Sequence, residues 1–385
     1  MSSFSEYLES LRRKSRLREI PSGKNGLIDL VSNDYLGLGA RGHEFMEEFL
    51  DRFSDASFSS SASRLLSREQ KYHKLLEEKL SCLYGKEVLL FNSGYQANVG
   101  ALSALATPDT IYLSDSLIHA SAIDGMMLAK GYGKSAVITF PHNDVAMLRE
   151  LLDKNYKSHE RVVVATEGIF SMDGDLAPLR EIVELKRDFP DVLLYVDEAH
   201  SFGVRGRKGL GVSEESGVLK EIDILVGTFG KACGSSGAFV ASNVEIHDYI
   251  LNRARSFIFS TASAPVNSAW TLLMVEKIEK MSIERERLKS LSREFKMMLD
   301  GKDYNPVSTK NLAETTQIQP FLCGSAERAI RIAKQLREAG FDVLPIRYPT
   351  VAEGTERLRF SLNATLEMKN LLPIREILKT LNSTN

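Results

Sequence analysis

The chain has 385 residues, of which 43% are hydrophobic and 26% are charged, values typical of a globular protein with room for a large domain and a smaller one. Its net charge of −2 gives no reason to expect nucleic acid or an anionic membrane as a partner, and no apolar run approaches the roughly 20 residues that span a bilayer. The three cysteines are odd in number, widely spaced and form no metal-ligand pair, so we expect a reducing compartment, the cytoplasm, and no bound metal.

Residues 1–20 read as an amphipathic helix with Phe4, Leu8 and Leu11 on its apolar face. Its basic residues would form a solvated face on an arm that docks against the body of the protein or a second subunit. A stretch rich in serine and arginine can also be a transit peptide, but its acidic residues argue against that interpretation: Glu6, Glu9 and Glu19.

The next two segments each end in polar residues after an apolar strand. Residues 27–39 predict a strand followed by a turn that contains Asn33 and Asp34. Residues 88–105 predict a strand, a turn and a helix, which begins at Ser93, Gly94 and Tyr95. Backbone N–H groups at this helix start could bind a phosphate, or the serine could simply cap the helix, and the segment alone favours neither interpretation.

Two more strands end close to chemically versatile side chains. Residues 111–114 precede His119, which in isolation is more typical of a buried structural histidine. Residues 161–166 precede Glu167 and Ser171, and then an acidic turn with Asp173 and Asp175. That turn lacks the remaining positions of an EF-hand loop, so we expect turn hydrogen bonds from its aspartates and no cation.

The strongest chemical signal comes from residues 192–203 and 222–238. The first strand delivers Asp197 and His200, and the second delivers Thr228 and Lys231 into a loop of small residues. A lysine that can bind a cofactor covalently, with an acid that can pair with a pyridinium nitrogen, is the pattern of pyridoxal phosphate enzymes. With this pair present, the phosphate interpretation of the 93–95 turn is favoured. The glycines of residues 203–211 do not match a dinucleotide-binding turn.

The remaining chain predicts linking helices and a second, smaller unit. We expect strand 315–322, helix 326–339, strands 341–346 and 357–362, and helix 368–381. The predicted domains are an N-terminal arm (1–45), a large cofactor-binding domain (46–262), linking helices (263–301) and a small α+β domain packed with the arm (302–385). The fold class is therefore α/β, with a large, mainly parallel sheet.

Seven motifs, in order along the chain, together resemble the α-oxoamine synthases, a family of fold-type I pyridoxal phosphate transferases. They are SNDYLGL (32–38), FNSGYQAN (91–98), DSLIHAS (115–121), EGIFSMDGDLAPL (167–179), DEAHSFGVRGRKGLG (197–211), TFGKACGSSGA (228–238) and PTVAEGTERLRFSLNA (349–364). Residues 58–73 depart from the family: side chains such as Ser59, Ser61 and Arg68 stand where glycines are common, which puts the shape of the acyl channel in question. His73, at the start of the following helix, is predicted to be structural.

The resemblance implies a role for each matching residue. Lys231 would hold the cofactor and act as acid and base, Asp197 would pair with the ring nitrogen, and His119 would stack on the ring. His200 and Ser171 would contact the phenolic oxygen, and Thr228 the phosphate, together with Ser93, Gly94 and Tyr95. Ser260 and Thr261 are candidates to reach the phosphate of a neighbouring subunit in a homodimer. The predicted substrate-binding residues are Arg18, Asn33, Thr350 and Arg359, with Arg357 as the competitor of Arg359.

The implied reaction is the decarboxylative condensation of an amino acid with an acyl thioester. The member with the most similar motifs uses L-alanine and a pimeloyl thioester, carried by coenzyme A or acyl carrier protein, in biotin synthesis, and Arg18 would meet the far carboxylate of the acyl chain. The alternatives are the sister activities glycine C-acetyltransferase, serine palmitoyltransferase and 5-aminolevulinate synthase. A pyridoxal-binding transcription regulator is disfavoured because the first 45 residues contain no helix-turn-helix pattern.

Overall fold

The computed structural model describes residues 3–20, 26–68, 70–301 and 314–382. Parts of the predicted arm and of the predicted small domain, residues 1–2, 21–25, 302–313 and 383–385, lie outside the described residues. The chain divides into two compact units. We call residues 36–171 and 175–285 the sheet unit, and residues 1–35, 172–174 and 286–385 the terminal unit.

A seven-stranded sheet forms the centre of the sheet unit. Its spatial order is β2-β8-β7-β6-β5-β3-β4, and only β8 runs antiparallel to the other six strands. The strands are β2 (Glu87–Phe91), β3 (Thr110–Asp115), β4 (Ala136–Phe140), β5 (Arg161–Glu167), β6 (Leu193–Asp197), β7 (Ile224–Thr228) and β8 (Ala238–Ser242). Strands β3, β7 and β8 are buried along their whole length, as parallel sheets covered on both faces require.

Helices connect these strands, and several begin at a side-chain cap. Ser93, Asp144 and Asn243 each accept a hydrogen bond from a backbone N–H group in the first turn of the helix that follows. The helices of this unit are α2 (Met46–Phe53), α3 (Lys71–Tyr84), α4 (Gly94–Ala104), α5 (Ala120–Gly133), α6 (Val145–Asn155), α7 (Leu179–Lys186), α8 (Val212–Glu215), α9 (Val244–Arg253), α10 (Arg255–Ile258) and α11 (Pro265–Lys280), with short 3₁₀ helices at Gly42–Phe45 and Tyr156–Ser158.

The core of the sheet unit lies between α4, α5 and one face of the sheet. Alanines line both helices where they meet, and large side chains from the strands fill the rest, including Tyr112, Tyr195 and Val226. Small residues allow the helix backbones to approach closely: a Cβ atom on Gly125 of α5 would lie only 2.9 Å from the carbonyl oxygen of Asn98 in α4. This close packing fixes α4 against the sheet.

The terminal unit contains two small sheets. β1 (Ile28–Asp29) pairs in parallel with β10 (Phe341–Asp342), and β12 (Arg357–Ser361) lies antiparallel between β11 (Pro345–Ile346) and β9 (Ile318–Leu322). Its helices are α1 (Ser3–Arg13), α13 (Ala326–Glu338), α14 (Met368–Leu371) and α15 (Pro373–Asn382). α12 (Ser282–Leu299) contains the division between the units, which falls after residue 285.

The observed division differs from the predicted domain ranges. Residues 36–45 belong to the sheet unit and not to an arm, because Leu36 and Leu38 are fully buried there and Gly42 packs against Trp270. The predicted linking helices are not a separate unit: residues 263–285 join the sheet unit and residues 286–301 the terminal unit. No helix in the described part of the chain is both long enough and apolar enough to cross a bilayer.

Candidate active site

The carboxyl ends of the parallel strands meet at one edge of the seven-stranded sheet, and a cavity of about 380 Å³ opens there. β6 ends at Asp197, β5 at Glu167 and β7 at Thr228, three residues before Lys231. The cavity is lined by eight of the predicted residues: Ser93, Gly94, Tyr95, His119, Asp197, His200, Thr228 and Lys231. Residues as far apart in the sequence as Ser93 and Lys231, which are separated by 138 positions, therefore line the same cavity.

The loop that carries Lys231 is closed by its own backbone hydrogen bonds. Phe229 N–H donates to the carbonyl of Gly237 and Ser235 N–H donates to the carbonyl of Phe229, both at 2.9 Å. Gly234 takes a positive φ of 57°, and a Cβ atom there would lie 2.5 Å from the backbone nitrogen of Gly39. Glycine is required at this close approach, which fixes the loop that presents the half-buried lysine.

Asp197 is buried, with 5% of its surface exposed, and both of its carboxylate oxygens have donors. Ala199 N–H donates to Oδ1 at 2.9 Å, and the side-chain amide of Asn98 donates to Oδ2 at 2.7 Å. Such donors stabilise a carboxylate that is buried. His200 follows three residues later and is equally buried.

The loop after β6 is anchored by a second buried acid, Glu198. Its carboxylate accepts hydrogen bonds from the backbone N–H groups of Val212 (2.9 Å) and Ser213 (2.7 Å), at the start of α8, and from the Ser201 hydroxyl. A Cβ atom on Gly168, the residue after β5, would lie 2.2 Å from a Glu198 oxygen, so the backbone at the end of this strand packs directly on the carboxylate. This anchor fixes the backbone on both sides of Asp197 and His200.

His119 is held by its own turn at the start of α5. Its backbone N–H donates to Glu167 Oε1 at 2.5 Å, and its ring Nδ1 accepts from Ser121 N–H at 3.2 Å. Burial lowers the pKa of the imidazole, the nearby Asp197 raises it, and Lys231 lowers it, with a net decrease. The ring is therefore predominantly neutral at pH 7, in a form suited to stacking on a flat heterocycle.

Glu167 and Asn98 line the cavity but were not among the predicted site residues. Glu167 is fully buried, and its burial, followed by the negative charge of Asp197, raises the pKa of its carboxyl well above 4.5. The sequence contained a signal for it, because Glu167 follows an apolar strand in the same way that Asp197 does. Asn98 lies inside the FNSGYQAN motif, one helical turn after Gly94.

Three predicted cofactor contacts lie elsewhere. Ser171 is in the loop after β5, outside the cavity lining. Ser260 Oγ accepts from the side chains of Asn92 (3.2 Å) and Gln96, and the Thr261 carbonyl accepts from Asn92 at 2.6 Å. Asn92 lines the cavity, so Ser260 and Thr261 each connect to the cavity through a hydrogen bond to Asn92 within this chain.

The predicted substrate-binding residues form two groups within the terminal unit. The guanidinium nitrogens Nη1 and Nη2 of Arg359 both donate to Asn33 Oδ1 at 3.1 Å, and Nη2 also donates to the Tyr35 hydroxyl at 3.3 Å. Arg18 Nη2 donates to Thr350 Oγ1 at 2.8 Å. The sequence named these four residues as substrate-binding but predicted none of these contacts, and their substrate-binding roles stay predictions.

The acidic turn behaves differently from the expectation of simple turn hydrogen bonds. Asp173 forms an ion pair with Arg357, which is buried, and Asp175 accepts a hydrogen bond from His142 at 2.6 Å. The competitor of Arg359 is thus already paired with a carboxylate. His73, in contrast, agrees with its structural interpretation: it is buried in α3 and its Nε2 lies 3.0 Å from the Ser263 carbonyl oxygen.

Known proteins similar to this chain show the family to which it belongs. The sequence model described as "Aminotransferase class I and II" matches residues 25–378. A curated relative from Pasteurella multocida (strain Pm70), named "Putative 8-amino-7-oxononanoate synthase", is 40% identical over 378 residues, with 95% of each chain covered. The chain belongs to the aminotransferase class I and II family, among the α-oxoamine synthases.

Two solved structures of this family have the same fold. The serine palmitoyltransferase from S. paucimobilis with a bound PLP–myriocin aldimine is 26% identical, with a TM-score of 0.85 and 100% of each chain covered. The 8-amino-7-oxononanoate synthase from Francisella tularensis is 27% identical, with a TM-score of 0.76 over 92% of this chain and 98% of that one. The predicted fold class, α/β with a mainly parallel sheet, is confirmed, and so is the assignment to a pyridoxal phosphate-dependent enzyme.

The cavity has the features that pyridoxal phosphate requires. At the start of α4, helix geometry leaves the N–H groups of Gly94 and Tyr95 without a helical acceptor, which suits a phosphate. A Cβ atom at Gly94 would lie 2.5 Å from Thr228 Cγ2, so only glycine leaves the backbone open here. Across the same cavity stand the buried carboxylate of Asp197 and the amine of Lys231. An anion site, an acid and a lysine together fit the cofactor's phosphate, ring nitrogen and aldehyde.

Proposed function

We propose that the protein condenses L-alanine with a pimeloyl thioester to form 8-amino-7-oxononanoate, CO2 and a free thiol, a step of biotin synthesis. The observation that carries this proposal is the 40% identity over 95% of both chains with the P. multocida relative. Coenzyme A and acyl carrier protein are both suitable carriers of the acyl group, and we place the reaction in the cytoplasm of a cell that makes biotin. A homodimer is part of the same proposal.

Bound pyridoxal phosphate supplies an electron sink for negative charge at the α-carbon of the amino acid. The residues of the chain supply the remaining steps. Lys231 Nζ removes the α-proton of L-alanine, and the α-carbon then attacks the thioester carbonyl, so that a C–C bond forms and the C–S bond breaks. The sulfur leaves as a thiolate and takes a proton from solvent to give the free thiol. The original carboxylate leaves as CO2, and Lys231 returns a proton to the α-carbon. Asp197 holds the proton on the ring nitrogen throughout, and His119 keeps the ring in position.

Arg359 is the proposed ligand for the carboxylate of L-alanine. A guanidinium group presents two parallel N–H donors to a carboxylate, which lysine cannot reproduce. Its hydrogen bonds to Asn33 and Tyr35 fix the plane of the guanidinium group. Neither of these two partners is a carboxylate. Arg357, which is paired with Asp173, is not proposed for this role.

Arg18 is the proposed ligand for the far carboxylate of the pimeloyl chain. A second guanidinium is close to it: burial, and then the positive charge of Arg18, lower the pKa of Arg347. Two neighbouring positive charges favour the binding of an anion between them. A pimeloyl chain ends in a carboxylate, whereas a palmitoyl chain ends in a methyl group. The pair therefore supports a dicarboxylic acyl group.

A second candidate is serine palmitoyltransferase activity, favoured by the TM-score of 0.85 with the S. paucimobilis enzyme. The lower identity of that pair, 26%, and the two arginines described above make it the weaker candidate. It would require L-serine and a long acyl chain without a terminal charge.

The test is a substrate panel with the purified, cofactor-loaded enzyme. L-alanine, glycine and L-serine are each combined with pimeloyl, acetyl, succinyl and palmitoyl coenzyme A, and amino ketone, CO2 and free thiol are measured together. We expect the highest kcat/KM for L-alanine with the pimeloyl thioester, and no product from Lys231→Ala. Lys220→Ala, a substitution outside the cavity lining, is the control. A preference for L-serine with the palmitoyl thioester would overturn the proposal in favour of the second candidate.

A further inference from the structure

We propose that Asn98 is a positioning residue that joins Asp197 and His119 into a single hydrogen-bonded unit, and so orients both groups toward the cofactor. The inference rests on the roles given to Asp197 and His119 in the proposed function. Asn98 lies in α4, is 2% exposed and lines the cavity, yet the reaction described above makes no use of it.

The contacts of Asn98 fix the orientation of its amide. Nδ2 lies 2.7 Å from Asp197 Oδ2 and 2.8 Å from Ser121 Oγ, and Oδ1 accepts from the Tyr195 hydroxyl at 2.5 Å. A carboxylate can only accept, so the NH2 group must face Asp197, and the carbonyl must then face Tyr195. A flipped amide would lose the hydrogen bond to Asp197 and place its own oxygen against the carboxylate.

Ser121 extends this unit to His119. Its Oγ accepts from Asn98 and lies 2.6 Å from His119 Nδ1, and its backbone N–H also donates to Nδ1. Because a backbone N–H can only donate, Nδ1 carries a lone pair and the imidazole proton is on Nε2. The network therefore selects one neutral tautomer of the histidine and also one position of the acid.

The packing of α4 makes this network rigid. Asn98 stands one helical turn after Gly94, so the helix that presents its N-terminus to the phosphate also presents a donor to Asp197. The contact between α4 and α5 depends on Gly125, as described above, and this contact brings Ser121 within reach of Asn98. Tyr195, on β6, is fully buried, and it carries its hydroxyl two residues before Asp197 on the same strand.

A purely structural network would stabilise the fold and have no effect on the cofactor. Two pairs of substitutions separate these roles. Asn98→Asp keeps the shape of the side chain but places a second carboxylate against Asp197, whereas Asn98→Ala removes the donor and leaves a small cavity. Tyr195→Phe removes one hydrogen bond of the network, and Tyr112→Phe, its matched control, removes a hydrogen bond from an equally buried tyrosine to the carbonyl of Leu102, outside the cavity.

Three quantities are measured without any substrate. They are the dissociation constant of pyridoxal phosphate from the protein, the pH midpoint at which the visible band of the bound cofactor titrates, and the thermal midpoint of the cofactor-free protein. We expect Asn98→Ala to weaken cofactor binding about 10-fold or more, Asn98→Asp to weaken it further, and both to shift the pH midpoint. Tyr195→Phe should weaken binding about threefold, while Tyr112→Phe lowers the thermal midpoint alone.

The proposal is overturned if Asn98→Asp binds the cofactor as tightly as the wild type with the same pH midpoint. It is also overturned if Tyr195→Phe and Tyr112→Phe change only the thermal midpoint, and to the same extent, because the network would then be structural. An enzyme that fails to use L-alanine, but loses cofactor affinity in the Asn98 variants, would refute the proposed function and support this inference.

Discussion

Two acidic residues line the same cavity, and their hydrogen-bond donors differ. Glu167 and Asp197 are paired residues on neighbouring strands β5 and β6. Asp197 receives hydrogen bonds from a side-chain amide and a backbone N–H, whereas Glu167 receives one from the backbone of His119. Burial and the charge of Asp197 both raise the pKa of Glu167, so we infer that its carboxyl keeps a proton to a higher pH than an exposed carboxyl does.

This inference predicts how Glu167→Gln changes the pH dependence of stability. The pKa of Glu167 is raised in the folded protein, so the unfolded chain releases this proton first as pH rises. Wild-type stability should therefore fall, relative to that of Glu167→Gln, from about pH 4.5 up to the raised pKa. The groups that contribute to this shift are Asp197, Lys231, His119 and Asp115. Unfolding of both cofactor-free proteins in denaturant at several pH values measures the difference, and a difference that stays constant as pH rises above 4.5 would contradict the prediction.

Arg359→Lys tests the proposed binding of the amino-acid carboxylate. The substitution keeps the positive charge but loses the two-pronged geometry that Asn33 and Tyr35 hold in place. We expect the KM for L-alanine to rise about 10-fold or more, with a smaller change in the KM for the acyl thioester. Arg331→Lys, at an exposed position of α13, is the control and should leave both values unchanged. Equal changes in the two KM values would argue against a contact with the amino acid.

At the scale of single elements, the start of α4 leaves no space for an added methyl group at Gly94. Gly94→Ala would place a methyl group 2.5 Å from Thr228 Cγ2, and the branched threonine cannot move away because it ends a buried strand. We expect cofactor affinity to fall on the order of 10-fold, because the helix start must shift away from its anion site. Gly131→Ala in the neighbouring helix α5 meets no atom within 4 Å and is the matched control. Equal affinities for both variants would contradict the proposed phosphate site.

A second element-level prediction concerns His142, which joins the end of β3 to the loop after β5. Its ring nitrogens lie 2.9 Å from Asp115 Oδ1 and 2.6 Å from Asp175 Oδ2, and its edge contacts Phe170. Burial lowers the pKa of His142, but the hydrogen bonds and charges of the two aspartates outweigh it and raise the value to about 10.

The stabilisation by His142 should therefore depend on pH. A raised pKa contributes stability that is fully present below 6.5, the ordinary value, and is lost as pH rises through about 10. The loss of unfolding free energy caused by His142→Asn should be largest near pH 6.5 and should shrink steadily toward pH 10. Denaturant unfolding of wild type and variant across this range is the measurement, and a loss that does not change with pH would show that the imidazolium is not involved.

The element boundaries show which signals the sequence carried and which it did not. The expected helix over residues 1–20 ends at Arg13, because Ser15 adopts a left-handed φ of 53° and Arg16 N–H bonds back to the Leu11 carbonyl at 2.8 Å. The carbonyl of Ser15 then accepts a hydrogen bond from Arg347, 332 residues away in sequence. Periodicity could not predict this end, because the competing partner is distant along the chain.

Proline caused a similar difference near the C-terminus, where the expected helix 368–381 consists of α14 and α15, separated at Leu372, with Pro373 as the first residue of α15. A proline removes one helical donor and restricts the residue before it, and this rule was available from the sequence. The strands were easier to predict: five of the predicted strand ends carry the side chains that line the cavity. Short apolar runs followed by polar residues are a local signal, and parallel strands bring such ends together.

For the whole molecule, motifs identified the family and the cofactor, but not the hydrogen bonds that connect them. Asn98 and Asp197 are 99 residues apart, and Asn33 and Arg359 are 326 apart. Each motif is recognisable alone, while the contact between two of them depends on the packing of helices and strands that no local pattern contains. The family resemblance therefore named single residues without predicting which of their atoms meet.

At the scale of the whole molecule, we expect Arg18 and Arg347 to determine which acyl substrate is preferred. Arg18 is exposed, is bonded to Thr350 and lies close enough to Arg347 that its charge lowers the pKa of that group, after the larger effect of burial. A terminal carboxylate on the acyl chain would relieve the repulsion between these two cations, whereas a methyl end would not.

Arg18→Ala should therefore change selectivity more than rate. We expect the KM for pimeloyl coenzyme A to rise about 10-fold, the loss of one charge-assisted hydrogen bond, with kcat nearly unchanged. The KM for heptanoyl coenzyme A, which has the same chain length without the carboxylate, should change by less than about twofold. Arg13→Ala, exposed at the end of α1, controls for the loss of a positive charge. If Arg18→Ala raises both KM values equally, the arginine binds the coenzyme A portion or maintains the fold, and the proposed recognition of a dicarboxylic acyl chain is wrong.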